Sequence, residues 1–501
     1  MDISWATEWT WAHLLALCYF VATISCALRV LYRQTSTGTA FAWLIVLFVF
    51  PLFGIVLYVL LGEPRLGVNR QKRNQEIDTF YGEFAQTHLN EFIPEPSNIP
   101  QKYQGIERLA MSHSSFGATT GNAMTLLDTT DAIVNAMLED IHAAKQSCLV
   151  SFYIIDPKGR IETLLDALIQ ASLRGVHCVI LADAMGSRAF FKSTWVAKLT
   201  HAGVEVHQSL PVGVVRTFLT RVDLRNHRKL LIIDKEIGYT GSFNLVDPDY
   251  FKQDAGVGAW VDVMMRCTGT VVLEMMAVFY ADVAVEADQN LLTVKQRLTT
   301  LATAEHEDLP LLIKSRHAGT ITAQVIPSAP TQSEHVIYRT IIHALYSAKK
   351  RITITTPYFV PDEPLLLALT SAAKRGVAVT LIVPAKVDSI LVRYTSYAYF
   401  PLLLKSGIKI AQFYDGLLHT KTLVVDDGFC LFGTVNMDLR SFFLNLEISL
   451  AIYDAAVVAD ILTLQNDYLA RSHYVSIKTW QERSRWWGLV ENIARLFSPL
   501  L

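Results

Sequence analysis

The chain has 501 residues, enough for two or three domains, and 51% of them are hydrophobic against 18% charged, a greasier balance than ordinary soluble proteins carry. A formal net charge of −2 offers no global basic surface, so nothing in the charge balance points to nucleic acid. The six cysteines (Cys18, Cys26, Cys148, Cys178, Cys267 and Cys430) form no C-x-x-C pair and sit mostly in apolar runs, which reads as reduced buried thiols rather than a zinc site.

Neither Thr10 to Leu28 nor Ala40 to Leu61 contains an Asp, Glu, Lys or Arg. About 20 apolar residues at a helical rise cross a hydrocarbon core, so the two stretches predict spans over about 10–28 and 40–61. The short link Arg29 to Thr39 makes them a transmembrane helical hairpin over residues 1–61. Asp2 and Glu8, not a basic segment, precede the first span, and a second follows it, so signal-peptide cleavage is not expected. Trp5, Trp9, Trp11 and Tyr32 suit the membrane interfaces. Arg29 and Arg33 lie in the link, while Arg65, Arg70, Lys72 and Arg73 follow the second span, which leans the rest of the chain toward the cytoplasm.

Residues 62–120 are polar, with Pro94, Pro96 and Pro100, and read as a linker and lead-in. An α/β pattern then occurs twice, over residues 121–300 and 320–475. In the first, Asp131 to Ala144 is helical, Cys148 to Ile155 strand-like, Ile161 to Leu173 helical and His177 to Ala182 a buried strand. In the second, Val336 to Ala348, Arg351 to Thr356, Pro364 to Lys374 and Ala378 to Val383 repeat that order. Both halves share the punctuation A-K (Ala144-Lys145; Ala348-Lys349), a Tyr after the strand (Tyr153; Tyr358) and R-G-V (Arg174 to Val176; Arg375 to Val377). The common order argues for a duplicated unit, with Asp288 to Ala318 as connector and residues 476–501 as a tail.

One further feature repeats without a gap. His227, Lys229, Asp234, Gly241, Ser242 and Asn244 recur as His419, Lys421, Asp426, Gly433, Thr434 and Asn436, the pattern H-x-K-x4-D-x6-G-[ST]-x-N. In an extended strand side chains alternate, so each His shares a face with its Lys, and each hydroxyl with its Asn. One imidazole can attack phosphorus while the other protonates the leaving alkoxide. Lys229, Lys421, Ser242, Asn244, Thr434 and Asn436 would bind substrate oxygens and stabilise developing charge. No carboxylate cluster with magnesium-site spacing accompanies these residues, so no metal or cofactor is expected.

This doubled motif resembles the HKD signature of the phospholipase D superfamily. Wider stretches, Asp223 to Lys229, Tyr239 to Ser242, Asp247 to Gly258, Thr356 to Pro361 and Gly416 to Lys421, are similar to the bacterial cardiolipin synthases over essentially the whole chain. The resemblance implies two phospholipase D-like α/β/α sandwich domains behind the hairpin, in the bacterial inner membrane. It implies that two phosphatidylglycerol molecules give cardiolipin and glycerol through a phosphatidyl-histidine, with His227 as nucleophile and His419 as acid. It also implies that an acid downstream of each G-x-x-N orients the histidine of the other half, which places Glu447 with His227 and Asp262 with His419. Asp234 and Asp426 complete the signature among the catalytic candidates, although their character reads as more structural. A phospholipase D-type hydrolase, a phosphatidylserine-type synthase, a nuclease and a non-catalytic scaffold are the rival readings.

Two stretches carry lipid-facing expectations. Trp486, Val490, Ile493, Phe497 and Leu500 recur at helical spacing beside Arg483, Arg485 and Arg495, an amphipathic pattern suited to anionic lipid or to packing on the protein's own core. Phe190, Phe191, Lys192, Trp195 and Lys198, with Arg216, Phe218 and Arg221 beyond, read as a membrane-facing rim or as ordinary packing. The tyrosines between Arg393 and Phe400 read as lining an acyl channel or as a plain helix.

Overall fold

The computed structural model describes residues 4–33, 37–50, 52–62, 76–77, 79, 81–87, 89–114, 116–211, 223–286, 319–330 and 335–498. The connector Asp288 to Ala318, the basic residues Arg65 to Arg73, Arg216 to Arg221 and the terminal Pro499 to Leu501 lie outside the described residues. The chain forms two compact units, Met1–Gln71 with Val212–Leu224, and Lys72–Pro211 with Arg225–Leu501.

In the first unit, α1 (Ser4–Tyr32) contains a 22-residue stretch, Trp11–Tyr32, long and apolar enough to cross a membrane. The second expected span is not one helix but two, α2 (Thr37–Val49) and α3 (Phe53–Leu61). Between them stands Pro51, which lacks the N–H that an unbroken helix needs. Val30, Leu47 and Tyr58 form a small buried cluster joining the three helices, so the arrangement fits a hairpin.

The second unit is built on a sheet whose two halves follow one plan. The first half contributes β1 (Thr119–Leu127), β2 (Ser147–Phe152), β3 (His177–Asp183), β4 (Glu205–Ser209), β5 (Leu230–Ile233), β6 (Ile237–Gly241) and β7 (Met264–Thr268). The second contributes β8 (Ile321–Ser328), β9 (Arg351–Thr355), β10 (Ala378–Pro384), β11 (Lys409–Phe413), β12 (Thr422–Val425), β13 (Phe429–Gly433), β14 (Asn445–Ile452) and the edge strand β15 (Ser472–Tyr474). Their order across the sheet is β15-β11-β10-β9-β12-β13-β14-β8-β1-β7-β6-β5-β2-β3-β4. Read outward from the antiparallel β1–β8 pair, the halves mirror each other strand for strand except for the added edge strand β15.

Helices cover both faces. On one face α5 (Thr130–Ala143) and α6 (Arg160–Leu173) enclose the first core, and α8 (Val336–Ser347), α9 (Glu363–Lys374) and α10 (Ile390–Lys405) the second. On the other, α7 (Thr270–Glu286) and α11 (Ala455–Ala470) share a single core under both halves. This α/β/α arrangement agrees with the fold expected from the repeated pattern. Residues 62–120 hold more than a linker: α4 (Gln104–Ser114) buries Ile106 and Ala110 in the second core, and Tyr103 donates to the Val425 carbonyl. The expected rim at Phe190 and Trp195 is instead core, since both side chains are buried in the first half.

The shared punctuation has a physical cause. Gly175 and Gly376 end α6 and α9 with φ of 93° and 89°, the left-handed C-terminal turn that favours glycine. The preceding Arg174 and Arg375 reach the last carbonyls of the neighbouring α5 and α8, including those of Ile141 and Leu345.

At the junction of the halves lies Glu274 of α7, fully buried, accepting from the Thr119 hydroxyl at 3.0 Å and the Val325 N–H at 2.9 Å. Burial pushes its carboxyl up to about 8, so the folded chain holds a proton there that the unfolded chain releases above about 4.5. That stabilisation is complete below the unfolded value and is lost as pH rises through about 8. The melting temperature of the wild type relative to Glu274→Gln is expected to fall between pH 5 and pH 8.5 in a detergent thermal scan; a pH-independent difference refutes the assignment.

Candidate active site

The site grows from two strand–turn–strand units, β5–β6 and β12–β13. Each begins with the motif His and Lys, continues through four buried residues, all apolar in the first and led by Thr422 in the second, and turns at the motif Asp. Asp234 and Asp426 adopt φ of 51° and 54°, and their carboxylates accept from backbone N–H groups of Lys145, Gln146 and Ser147, and of Lys349, Lys350 and Arg351. They stand at the far ends of their strands from the imidazoles and tie the turn to the start of β2 or β9, in keeping with the structural character read from the sequence. The motif glycines answer to crowding. A Cβ on Gly241 would lie 2.4 Å from the Val263 carbonyl oxygen, and one on Gly433 2.4 Å from that of Ile448.

Each half then reaches into the other. Arg225–Asn226 pairs in parallel with Asn445–Leu446, and the His227 N–H donates to the Leu446 carbonyl at 2.9 Å. In the mirror position Leu417–Leu418 pairs with Trp260–Val261, and the His419 N–H donates to the Val261 carbonyl at 2.9 Å. The residue after each bridge is an acid. His227 Nδ1 lies 2.9 and 3.0 Å from the two Glu447 oxygens, and His419 Nδ1 lies 2.7 Å from Asp262 Oδ1. A carboxylate only accepts, so each Nδ1 carries the hydrogen and each Nε2 keeps its lone pair.

The hydroxyls expected to bind substrate are committed elsewhere. Ser242 donates to Asp262 at 2.6 Å and Thr434 to Glu447 at 2.5 Å, while each oxygen accepts the next backbone N–H, from Val263 or Ile448. They hold the acids rather than face a ligand. Asn244 is buried with its oxygen accepting from the Ile154 N–H, and buried Asn436 Oδ1 has no partner among the described residues. Lys229 and Lys421 are buried, each donating to its own histidine's carbonyl.

Several contributors carry no motif signature. Arg228, between His227 and Lys229, points to the opposite face, where it binds Asp282 and the carbonyls of Glu447 and Ser328. A charged residue alternating with two motif positions just ahead of a buried strand was the available signal. Asn445 donates to Glu447 at 3.0 Å, while its counterpart in the other half, Trp260, lays its ring 4.4 Å from that of His419. Tyr153 stands edge-on to His227 at 5.1 Å.

Burial, with the nearby lysine opposing the partner acid, lowers both imidazoles to about 4. Burial also drops Lys229 to about 8 and Lys421 well below its ordinary value. Glu447 and Asp262 go the other way: burial alone would raise them, but His227 and Lys229, or His419 and Lys421, outweigh it and hold both ionised. Both imidazoles are therefore neutral at pH 7, each with a lone pair on Nε2.

The chain was compared with known proteins. Residues 137–261 and 341–466 match the family described as "Cardiolipin synthase, PLD-like domain", and residues 21–63 match "Phospholipase_D-nuclease N-terminal". Fold and matches together define a phospholipase D-like phosphatidyltransferase with two repeats. Cardiolipin synthase A of Erwinia tasmaniensis is 39% identical over 492 residues, covering 97% of this chain and 98% of that one. The protein of that name from Pectobacterium carotovorum is 40% identical over 492 residues, covering 97% and 98%, and that from Klebsiella pneumoniae 38% over 493 residues, covering 97% and 98%. The chain belongs to the cardiolipin synthase A family. Phosphatidylserine synthase of Haemophilus influenzae shares its fold, with a TM-score of 0.58 and 14% identity over 79% of this chain and 100% of that one.

An anion between the imidazoles favours their charged forms, so ligand binding should carry in a proton. Tungstate binding to the detergent-solubilised protein at pH 7 is expected to take up about one proton. Calorimetry in two buffers of different ionisation enthalpy measures this, and a binding enthalpy independent of buffer refutes it.

Proposed function

We propose that residues 121–300 and 320–475 act as two repeats sharing one site, and that this site moves a phosphatidyl group between two phosphatidylglycerol molecules. The observation that carries the reading is the exchange of carboxylates: each imidazole is aimed by the other half, which leaves two Nε2 atoms beside two buried lysines.

In the first step His419 Nε2 carries the proton taken up as the phosphate binds; His227 Nε2 attacks phosphorus, the bond to the glycerol oxygen breaks, and His419 gives that oxygen the proton. Lys229 and Lys421 neutralise the non-bridging oxygens, with Asn244 and Asn436 adding their amides. In the second, the terminal hydroxyl of another phosphatidylglycerol gives its proton to His419 and attacks phosphorus. The products are cardiolipin, glycerol and the regenerated His227. Glu447 and Asp262 orient the imidazoles and stabilise them when charged, an effect on the order of 10⁴ in rate where the corresponding acid of a hydrolytic triad is replaced. His227 takes the nucleophile's role from the family resemblance.

Purified protein with phosphatidylglycerol should release cardiolipin and glycerol in equal amounts, and rapid acid quenching should trap a phosphatidyl adduct on a His227 peptide. His227→Ala should abolish the adduct, while His419→Ala should retain the fold and lose at least about 10³ in rate. Phosphatidic acid as the only product overturns the transfer reading, and an adduct on His419 reverses the two roles.

We further place the chain in the bacterial inner membrane with both ends of the hairpin in the cytoplasm. The four basic residues Arg65, Arg70, Lys72 and Arg73 beyond the hairpin, against Arg29 and Arg33 in its link, support that orientation. A cysteine placed at Ser36 should react with an impermeant maleimide in intact spheroplasts, and one placed at Ser472 only after lysis; the reverse pattern refutes the topology.

A further inference from the structure

The C-terminal helix α12 (Arg485–Arg495) has two unlike sides. One packs on α10: Trp487 stacks on Tyr394 with ring centroids 5.6 Å apart, and Glu491 and Ala494 are buried. The other presents Trp486, Leu489, Val490, Ile493, Leu496 and Phe497 to solvent, with Trp486 74% and Leu496 77% exposed. These six follow the three-and-four spacing of a single helical face. At the start of α10, Ile390 is also largely exposed.

Between the two helices lies an open cup of 330 Å³ lined by Arg393, Tyr394, Tyr397, Arg483, Ser484 and Trp487. That volume falls within the range of small-ligand sites. Its two cations are not equivalent. Arg483 is neutralised by Glu491 at 2.8 Å and stacked on Trp480 at 3.5 Å. Arg393 lies over the Tyr394 ring at 4.9 Å and donates to the Tyr394 hydroxyl at 3.4 Å, with no carboxylate partner among the described residues. Its Nε is buried and unpartnered. The cup thus carries one uncompensated positive charge, in a guanidinium whose planar donors match phosphate oxygens. None of the histidine-motif residues lines it.

We infer that this cup binds the phosphate of an anionic phospholipid while the outer face of α12 lies among its acyl chains, giving the catalytic unit a membrane contact separate from its reaction centre. A free phosphate would satisfy the arginine but leave the six apolar side chains in water. A lipid accounts for both, because its charge and its hydrocarbon lie next to each other as the cup and the helix face do. Trp486, Trp487 and Tyr394 suit the headgroup level between the two.

The test uses the full chain in nanodiscs and follows hydrogen exchange over residues 390–397 and 480–497. Discs of phosphatidylcholine alone are compared with discs holding an equimolar share of phosphatidic acid, which has no headgroup alcohol to transfer, so the outcome is independent of turnover. Exchange in both segments is expected to slow in the anionic discs, and Arg393→Gln to remove protection on the order of fivefold. Trp486→Ser, at an exposed position with little effect on folding, should lessen protection in both kinds of disc. Adding inorganic phosphate to phosphatidylcholine discs should change nothing. Equal exchange in the two compositions, protection undiminished in Arg393→Gln, or protection by inorganic phosphate alone would each overturn the inference.

Discussion

Neither histidine receives its carboxylate from its own half of the chain. Glu447 reaches back to His227 and Asp262 reaches forward to His419, each across a bridge of two parallel residues that also fixes the histidine's backbone N–H. Everything else at the centre depends on this exchange. An ionised carboxylate removed from water costs several kcal/mol unless it is matched. Here each acid has an imidazole N–H, a hydroxyl from Ser242 or Thr434, and the field of a buried lysine. Removing any one partner leaves the others buried without compensation.

The sheet makes so much buried charge sustainable. The β1–β8 pair joins the two halves into one ladder, and α7 and α11 close a single core beneath it. Arg228 ties the same centre to that core through Asp282, so the reacting face and the supporting face are fastened by adjacent residues of the segment that leads into β5. The two halves are not copies in detail. Asn445 steadies Glu447 by a hydrogen bond, whereas Trp260 covers His419 with an indole ring, so the two imidazoles sit in different surroundings.

Much of the architecture is legible in the sequence because the signals are local. The R-G-V runs mark helix ends through a left-handed glycine, and the four-residue spacing from Lys229 to Asp234 is the length of one short strand ending in a turn. The α/β duplication follows from such marks. What stays hidden is what depends on pairing between distant segments. A motif hydroxyl such as Ser242 looks available for substrate until the position of Asp262 shows it occupied. Phe190 and Trp195 look interfacial beside their lysines, because no local pattern separates an aromatic on a membrane rim from one under a neighbouring helix. The apolar run from Ala40 to Leu61 counts as a span by composition, while the described helices there are two shorter ones.

The exchange of carboxylates also bears on how the chain is made. Glu447 is added 220 residues after His227, and His419 is added 157 residues after Asp262. A growing chain folds its N-terminal portions first. Until the last fifth of the chain is being added, however, the first histidine has no acid and the first acid has no histidine. Prematurely terminated products ending before Glu447 carry an imidazole free to turn and choose either tautomer. The order of synthesis therefore leaves both pairs of imidazole and orienting acid incomplete until most of the chain has been made.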